Sequence, residues 1–413
     1  MKTRLLTAAL LAAGSLASPF AAAQVRVAYI DPLSGFMGAT GERGLKELEF
    51  AAELINAKGG VLGQKIEILP MDNKLSAQES LILLKSAIDK GARYIAQGNG
   101  SSVAAALIDA VNKHNERNPG KEVVFLNYAA VDPEFTNDKC SFWHFRFDAN
   151  SDMKLEALTT YMKGQSKIKK VYLFNQDYSF GHQVAKSARA MLNAKRPDVQ
   201  IVGDELHPLA RVKDFAPYIA KIIASGADSV VTGNWGSDLA LLVKAAKDAG
   251  LKADFYTFYA GVIGTPPALG DAGVERVKVV SIWNANAASP AAQAMFDAYK
   301  KKHNALDDPY SQSARYSIEM LAKAMTAAKS TEPVKVARAL ENLKHEGPWG
   351  EVTMRDSDHQ LIQPIFVGTF VKADPPGKYK YTADGVTGFA FREEAKFPAA
   401  ATAPATTCKM RRP

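Results

Sequence analysis

The sequence predicts an α/β protein built from two doubly wound parallel-sheet units in series. Three observations carry this. Short β-like runs alternate with amphipathic helical patterns, the signature of βαβ units. The alternation pauses around residues 142–150 and then restarts. The length of 413 residues, with 47% hydrophobic and 23% charged side chains, suffices for two or three ordinary cores.

Val25 to Ile30 reads as a strand, and 40–58 as a helix ended by Gly59 and Gly60. Lys65 to Met71 is a second strand. Ser76 and Glu79 form a capping box, in which each side chain satisfies an orphan N–H of the other's turn. Leu81, Leu84 and Ile88 then share one helical face. Arg93–Gln97 is a strand, Ser101–Arg117 a helix, and Glu122–Leu126 a strand. After the pause come a helix over 154–162 and strands over 169–174, 199–203, 228–232, 254–258 and 277–282, with helices over 180–194, 214–224 and 237–249 between them. Helical patterns over 290–303, 310–329 and 333–343 have no sheet of their own, and the simplest packing returns them to the first unit. Residues 349–372 read as short strands, and 395–407 as an extended Ala/Thr/Pro-rich tail.

The chain opens with an export signal. Lys2 and Arg4 precede an apolar run from Leu5 to Leu16, and Ala21 and Ala23 give a small-residue cleavage site. A spanning helix needs about 20 apolar residues, so a membrane anchor is the weaker reading. Residues 1–23 are expected to be removed, leaving a soluble periplasmic protein.

Composition narrows the function. The net charge of +8 comes without a Lys/Arg run, so no nucleic-acid stripe is expected. Two cysteines exclude a cysteine zinc cluster and a disulfide-dense scaffold. The seven histidines, at 114, 144, 182, 207, 303, 345 and 359, show no metal-ligand spacing. No nucleophile elbow, metalloprotease helix or P-loop pattern occurs. We expect no catalytic residue, no metal and no cofactor.

Doubly wound sheets bind ligands at the carboxyl ends of their strands. Gly98-Asn99-Gly100-Ser101-Ser102 opens a helix there, with Ser101 or Ser102 as its cap and free amides that suit an anion. Asn127-Tyr128-Ala129-Ala130-Val131 follows the next strand. The second unit offers Tyr178, then Asn234 and Trp235, then Tyr259 and Ala260. Tyr128, Tyr178, Trp235 and Tyr259 each stand just past a strand, and aromatics around a few polar groups make a small-molecule pocket.

The segments VRVAYIDPLSG, INAKGGVLGQKIEIL, AIDKGARYIAQGNGSS, FNQDYSFGHQVA and LVKAAKDAGL resemble the periplasmic Leu/Ile/Val-binding protein family of ABC importers, from about Val25 to about Phe370. The resemblance implies a type I periplasmic binding fold, two lobes joined by three crossovers near Arg146, Ser281 and Thr353. Lobe one is then 24–146 with 282–353, lobe two 147–281 with 354–395, and 396–413 a C-terminal tail. It implies that Gly100, Ser101, Ser102, Ala129, Ala130 and Val131 meet a ligand's polar end. Val131 stands where the family has a threonine, and Ala260 where it has the acid that neutralises an ammonium. The family's early disulfide has no counterpart. The implied function is non-enzymatic delivery of a small ligand to ABC permease subunits by hinge closure, as a monomer. That ligand is branched-chain-amino-acid-like, or an apolar or aromatic carboxylate or amide. A ligand sensor feeding a regulatory or chemotaxis partner is the alternative, and an exported enzyme the third reading. Spacing leaves Cys140 and Cys408 free or paired; an oxidising compartment favours one disulfide.

Overall fold

The computed structural model describes residues 24–304, 312–383 and 388–413; the export signal expected over 1–23 lies outside them. The first unit runs β1 (Val25–Asp31), α1 (Gly38–Asn56), β2 (Ile66–Asp72), α2 (Ala77–Asp89), β3 (Tyr94–Gln97), α3 (Ser101–Arg117), β4 (Val124–Asn127) and β5 (His144–Arg146). The second runs α4 (Ser151–Lys163), β6 (Lys170–Gln176), α5 (Ser179–Lys195), β7 (Gln200–His207), α6 (Ala216–Ser225), β8 (Ser229–Thr232), α7 (Ser237–Asp248), β9 (Asp254–Thr257), α8 (Thr265–Gly273) and β10 (Val277–Ser281). Then follow α9 (Pro290–His303), α10 (Gln312–Ala328), α11 (Pro333–Leu340), β11 (Lys344–Gly347), β12 (Gly350–Met354), β13 (Leu361–Ile362), β14 (Ile365–Lys372) and β15 (Phe389–Phe397).

The first sheet has the order β2-β1-β3-β4-β5 and is parallel throughout. Strand side chains alternate between faces. Val27 and Tyr29 therefore pack with Leu48 of α1 and Leu321 and Met325 of α10, while Ala28 and Ile30 pack with Leu84 of α2 and Leu107 of α3. The second sheet, β15-β14-β10-β9-β8-β6-β7, repeats the scheme. Val171 and Leu173 face α4 and α5 residues such as Leu158 and Val184; Tyr172 and Phe174 face Ile219 of α6 and Leu242 of α7. Its far edge is antiparallel, β10 to β14 and β14 to β15.

Helices α10 and α11 pack in the core of the first sheet, as their lack of a sheet predicts. The third passage comes later than Thr353. Met354 and Leu361 pack in the first sheet's core, and Ile365 in the second's. A small antiparallel sheet causes the delay, because β12 and β13 pair Met354 with Leu361 before the chain moves on. The first and third passages are stitched together. Arg146 Nε donates to Gln360 Oε1 at 2.7 Å, Gln360 Nε2 to the Asp148 carbonyl at 2.8 Å, and Gln363 Nε2 to the Phe147 carbonyl at 2.7 Å.

Four elements escaped the sequence reading: the short strands β5 and β11, the helix α8 and the strand β15. Helix α8 starts Thr-Pro-Pro and carries a break at Gly270, which hides its periodicity. Strand β15 has a charged Arg-Glu-Glu centre that an edge strand tolerates, and it takes in the first residues of the segment read as an extended tail. Cys140 and Cys408 are disulfide-bonded, with Cα atoms 5.7 Å apart. Among the described residues, no helix is long and apolar enough to cross a membrane.

Candidate functional site

A cleft of about 810 Å³, counted out to bulk solvent, opens between the carboxyl ends of the two sheets. On the first side it meets Gly98, Asn99, Gly100 and Ser101 after β3, and Tyr128, Ala129, Ala130 and Val131 after β4. On the second it meets Tyr178 and Phe180 after β6, Trp235 after β8, and Phe258 and Tyr259 after β9. Trp283, beyond β10, and Asp148 and Lys154, at the first passage, also line it.

The β3–α3 loop is held from below. Asp31, at the end of β1, is fully buried and accepts from the Asn99 amide N–H at 3.0 Å and from Asn99 Nδ2 at 2.9 Å. Tyr128 donates its hydroxyl to the same carboxylate. Tyr29 closes the network, 2.8 Å from the Tyr128 hydroxyl and donating to the Gly41 carbonyl at 2.6 Å. Burial pushes the Asp31 carboxyl up to about 6, against the pull of the Tyr128 and Asn99 hydrogen bonds. Gly98 lets the Tyr128 ring lie against the loop, since a Cβ there would come within 2.6 Å of it.

Helix α3 begins at Ser101, so neither Ser101 nor Ser102 is its cap. Gly100 takes that position at φ +91°, which favours glycine, and no side chain caps the first turn. Ser102 is exposed and is not among the residues that line the cleft. Asn234 is buried and bonded through Oδ1 to His207 Nε2 at 3.1 Å, and Ala260 packs in the core behind the wall. Those three expected site residues therefore do not line the cleft. Gly100, Ser101, Tyr128, Ala129, Ala130, Val131, Tyr178, Trp235 and Tyr259 do.

The second side is an aromatic wall. The Phe180 ring lies 6.0 Å from Tyr178, 5.6 Å from Phe258 and 5.7 Å from Tyr259, centroid to centroid. Ser179, at the start of α5, donates to the Asp132 carboxylate on the opposite side, so the two lips touch.

The polar groups sequence reasoning missed sit at the first passage. Lys154 is 3% exposed; its Nζ lies 2.7 Å from Asp148 Oδ2 and 5.2 Å from the Tyr259 centroid. Its helix starts at Ser151 and is capped by Asn150, whose Oδ1 accepts from the Met153 amide at 2.9 Å. A lysine in an amphipathic pattern reads as solvated, and only its place just after the pause in the alternation pointed elsewhere. Such an arrangement can hold a small solute: a cation and open helix amides suit negative charge, and ring faces suit an apolar body.

A clamp of two doubly wound sheets around an aromatic-walled cleft defines a binding protein that encloses a small solute between its halves. Residues 24–375 match the family described as periplasmic binding protein, and the chain belongs to that family. It is 35% identical over 381 residues to Leu/Ile/Val-binding protein homolog 4 of Brucella abortus, covering 91% of this chain and 88% of that one. The closed form of a leucine-, isoleucine-, valine-, threonine- and alanine-binding protein from Brucella ovis superposes with a TM-score of 0.86 at 34% identity, covering 95% of this chain and all (100%) of that one. A solute-binding protein of an ABC transporter from R. palustris, solved with 4-hydroxybenzoate, shares the fold at 20% identity and a TM-score of 0.78, covering 91% and 98% of the two chains.

Proposed function

We propose that this chain is the periplasmic solute-binding component of an ABC importer, and that its solute is a small carboxylate with an apolar body. In this reading 24–146 with 282–361 form one lobe and 147–281 with 362–397 the other. The solute docks on one lobe, the lobes close about the stitched passages, and the closed form engages the permease. The relatives named above support the importer role.

One observation carries the carboxylate: Lys154 brings a buried ammonium to a cleft that also holds the uncapped amides at the start of α3. A buried cation beside donor N–H groups favours an anionic solute end. The wall of Tyr178, Phe180, Trp235 and Tyr259 suits an apolar body, aliphatic or aromatic.

Calorimetry on protein stripped of ligand by unfolding and refolding tests this. The panel is leucine, valine, 4-methylpentanoate, benzoate and 4-hydroxybenzoate, with the primary amide of each. At least one acid is expected to bind at micromolar Kd or tighter, and its amide at least about tenfold more weakly, equivalent to about 1.4 kcal/mol. Binding of amides alone, or of nothing in the panel, overturns the carboxylate reading.

A further inference from the structure

The C-terminal tail crosses between the lobes a fourth time. Strand β15 belongs to the second sheet and ends at Phe397. Residues 399–402 then pack on α4 of the same lobe, where Thr402 is buried. Just beyond, at Pro404, the other lobe takes hold of the chain: Arg355 Nη1 donates to the Pro404 carbonyl at 2.8 Å. Thr406 Oγ1 donates to the Thr136 carbonyl at 2.6 Å, and the Thr407 amide to Asn137 Oδ1 at 3.1 Å. Cys408 is bonded to Cys140, and Met410 packs against the core of the first sheet. Arg338 Nη2 donates to the terminal Pro413 oxygen at 2.6 Å.

This crossing lies at the hinge. Thr136, whose carbonyl holds Thr406, accepts through Oγ1 from Arg146 Nη2 and from Asn150 Nδ2 at 3.4 Å, the residues on either side of the first passage. A segment fixed to both lobes beside the hinge must yield or stretch when the lobes rotate apart. Its hydrogen bonds can exchange for bonds to water at small net cost. The disulfide has no such exchange, so the anchor on the first lobe does not peel away. Six residues lead from Thr402 to Cys408, which keeps these two anchors within about 21 Å even at full extension.

We propose that the C-terminal tail, pinned by the Cys140–Cys408 disulfide, is a hinge restraint that limits how far the cleft opens. It holds the ligand-free protein nearer to the closed form, in which the lips touch through Ser179 and Asp132. A clamp restrained in advance has less freedom to lose when a solute closes it. The inference requires that the lobes open, whatever solute closes them.

Solution X-ray scattering on the ligand-free mature protein tests this. Three proteins are compared: the wild type, the Cys140→Ser/Cys408→Ser variant, and a variant with about eight Gly/Ser residues inserted between Ala403 and Pro404. The insertion keeps the disulfide and both anchors but adds about 15 Å of slack between them. Both variants are expected to exceed the wild type in radius of gyration by about 1 Å or more, against the roughly 21 Å of a compact chain of this size. Circular dichroism and thermal melting check that each variant folds; should the serine variant not fold, the insertion variant decides. A folded insertion variant that scatters as the wild type does overturns the restraint. If the insertion variant opens and the folded serine variant does not, the hydrogen bonds pin the tail unaided and the role of the disulfide falls. If all three proteins scatter as the closed form does, hinge opening itself fails, and the restraint with it. If the wild type is open and neither variant opens further, only the restraint falls.

Discussion

Trp235 Nε1 donates to the Tyr178 hydroxyl at 2.7 Å, which fixes two residues from different strand ends into one wall. Trp235 is 7% exposed and Tyr178 is partly buried, and the bond joins their rings into one surface of the cleft. Buried aromatic anchors dominate binding energy, and Trp235→Ala should cost about 2 kcal/mol, a loss of about 30-fold in affinity. Tyr178→Phe keeps the ring and loses only the hydrogen bond, so its loss should stay within about fivefold, on the order of 1 kcal/mol. His182 is exposed, bonded to Asp177 at 2.8 Å outside the cleft, and His182→Ala should change affinity less than about twofold. Calorimetry giving the reverse ranking would place the solute elsewhere.

Asp31 makes stability depend on pH in an unusual direction. Its carboxyl is raised from the ordinary 3.8 to about 6 in the folded protein, chiefly by burial. The folded state therefore holds this proton more tightly than the unfolded chain. Its contribution is greatest below the unfolded value and is lost as pH rises from about 4 through about 6, on the order of 3 kcal/mol in all. Asp31→Asn removes that slope. Urea unfolding at pH 5 and pH 7.5 should show the variant gaining on the wild type as pH rises; a difference that does not move with pH would dismiss the effect.

Gly98 tests how closely the floor is fitted. A Cβ there would sit 2.6–2.8 Å from three atoms of the Tyr128 ring, which is itself buried. Tyr128 cannot swing aside without releasing Asp31 and Tyr29. Gly98→Ala should lower unfolding free energy by about 1–3 kcal/mol and weaken solute binding as the loop lifts. Gly164→Ala is the control for losing a glycine without a clash, since its φ of −78° suits any residue and its Cβ would meet only the Tyr161 carbonyl oxygen, at 3.5 Å. A Gly98→Ala protein as stable as the wild type would mean that the floor yields.

Alternation of strand and helix patterns made most of the fold legible, because each pattern reports which faces must be buried. It failed where burial is one-sided or broken: β15 is an edge with charged residues, and α8 is interrupted at Gly270. The site was legible on its rim. Tyr128, Tyr178, Trp235 and Tyr259 stand just past strands, where topology puts ligands. Lys154 and Asp148 were not, since their pairing depends on the geometry of a passage between sheets that no local pattern encodes. Asp31 was hidden for a related reason: its partners Asn99 and Tyr128 are 68 and 97 residues away.

The bond from Cys140 to Cys408 ties the chain's end back to the first sheet's flank, and the tail it secures touches both halves. Thr402 is buried where 399–402 pack against α4. From there Thr406 Oγ1 donates to the Thr136 carbonyl at 2.6 Å, Arg355 Nη1 to the Pro404 carbonyl at 2.8 Å, and Arg412 Nε to Glu341 Oε1 at 3.0 Å. The disulfide closes a loop with a sequence separation of 268. Chain-entropy reasoning gives such a closure up to about 5 kcal/mol, an upper limit because these hydrogen bonds persist without it. Two measurements check the consequence. Peptides from unreduced periplasmic protein should show the linked pair by mass spectrometry. Reductant and the Cys140→Ser/Cys408→Ser variant should lower the midpoint of thermal unfolding by the same few degrees, about 1 °C per kcal/mol for a chain of this length. Two freely alkylatable thiols, or a midpoint indifferent to reductant, would show that the tail is held by its hydrogen bonds alone.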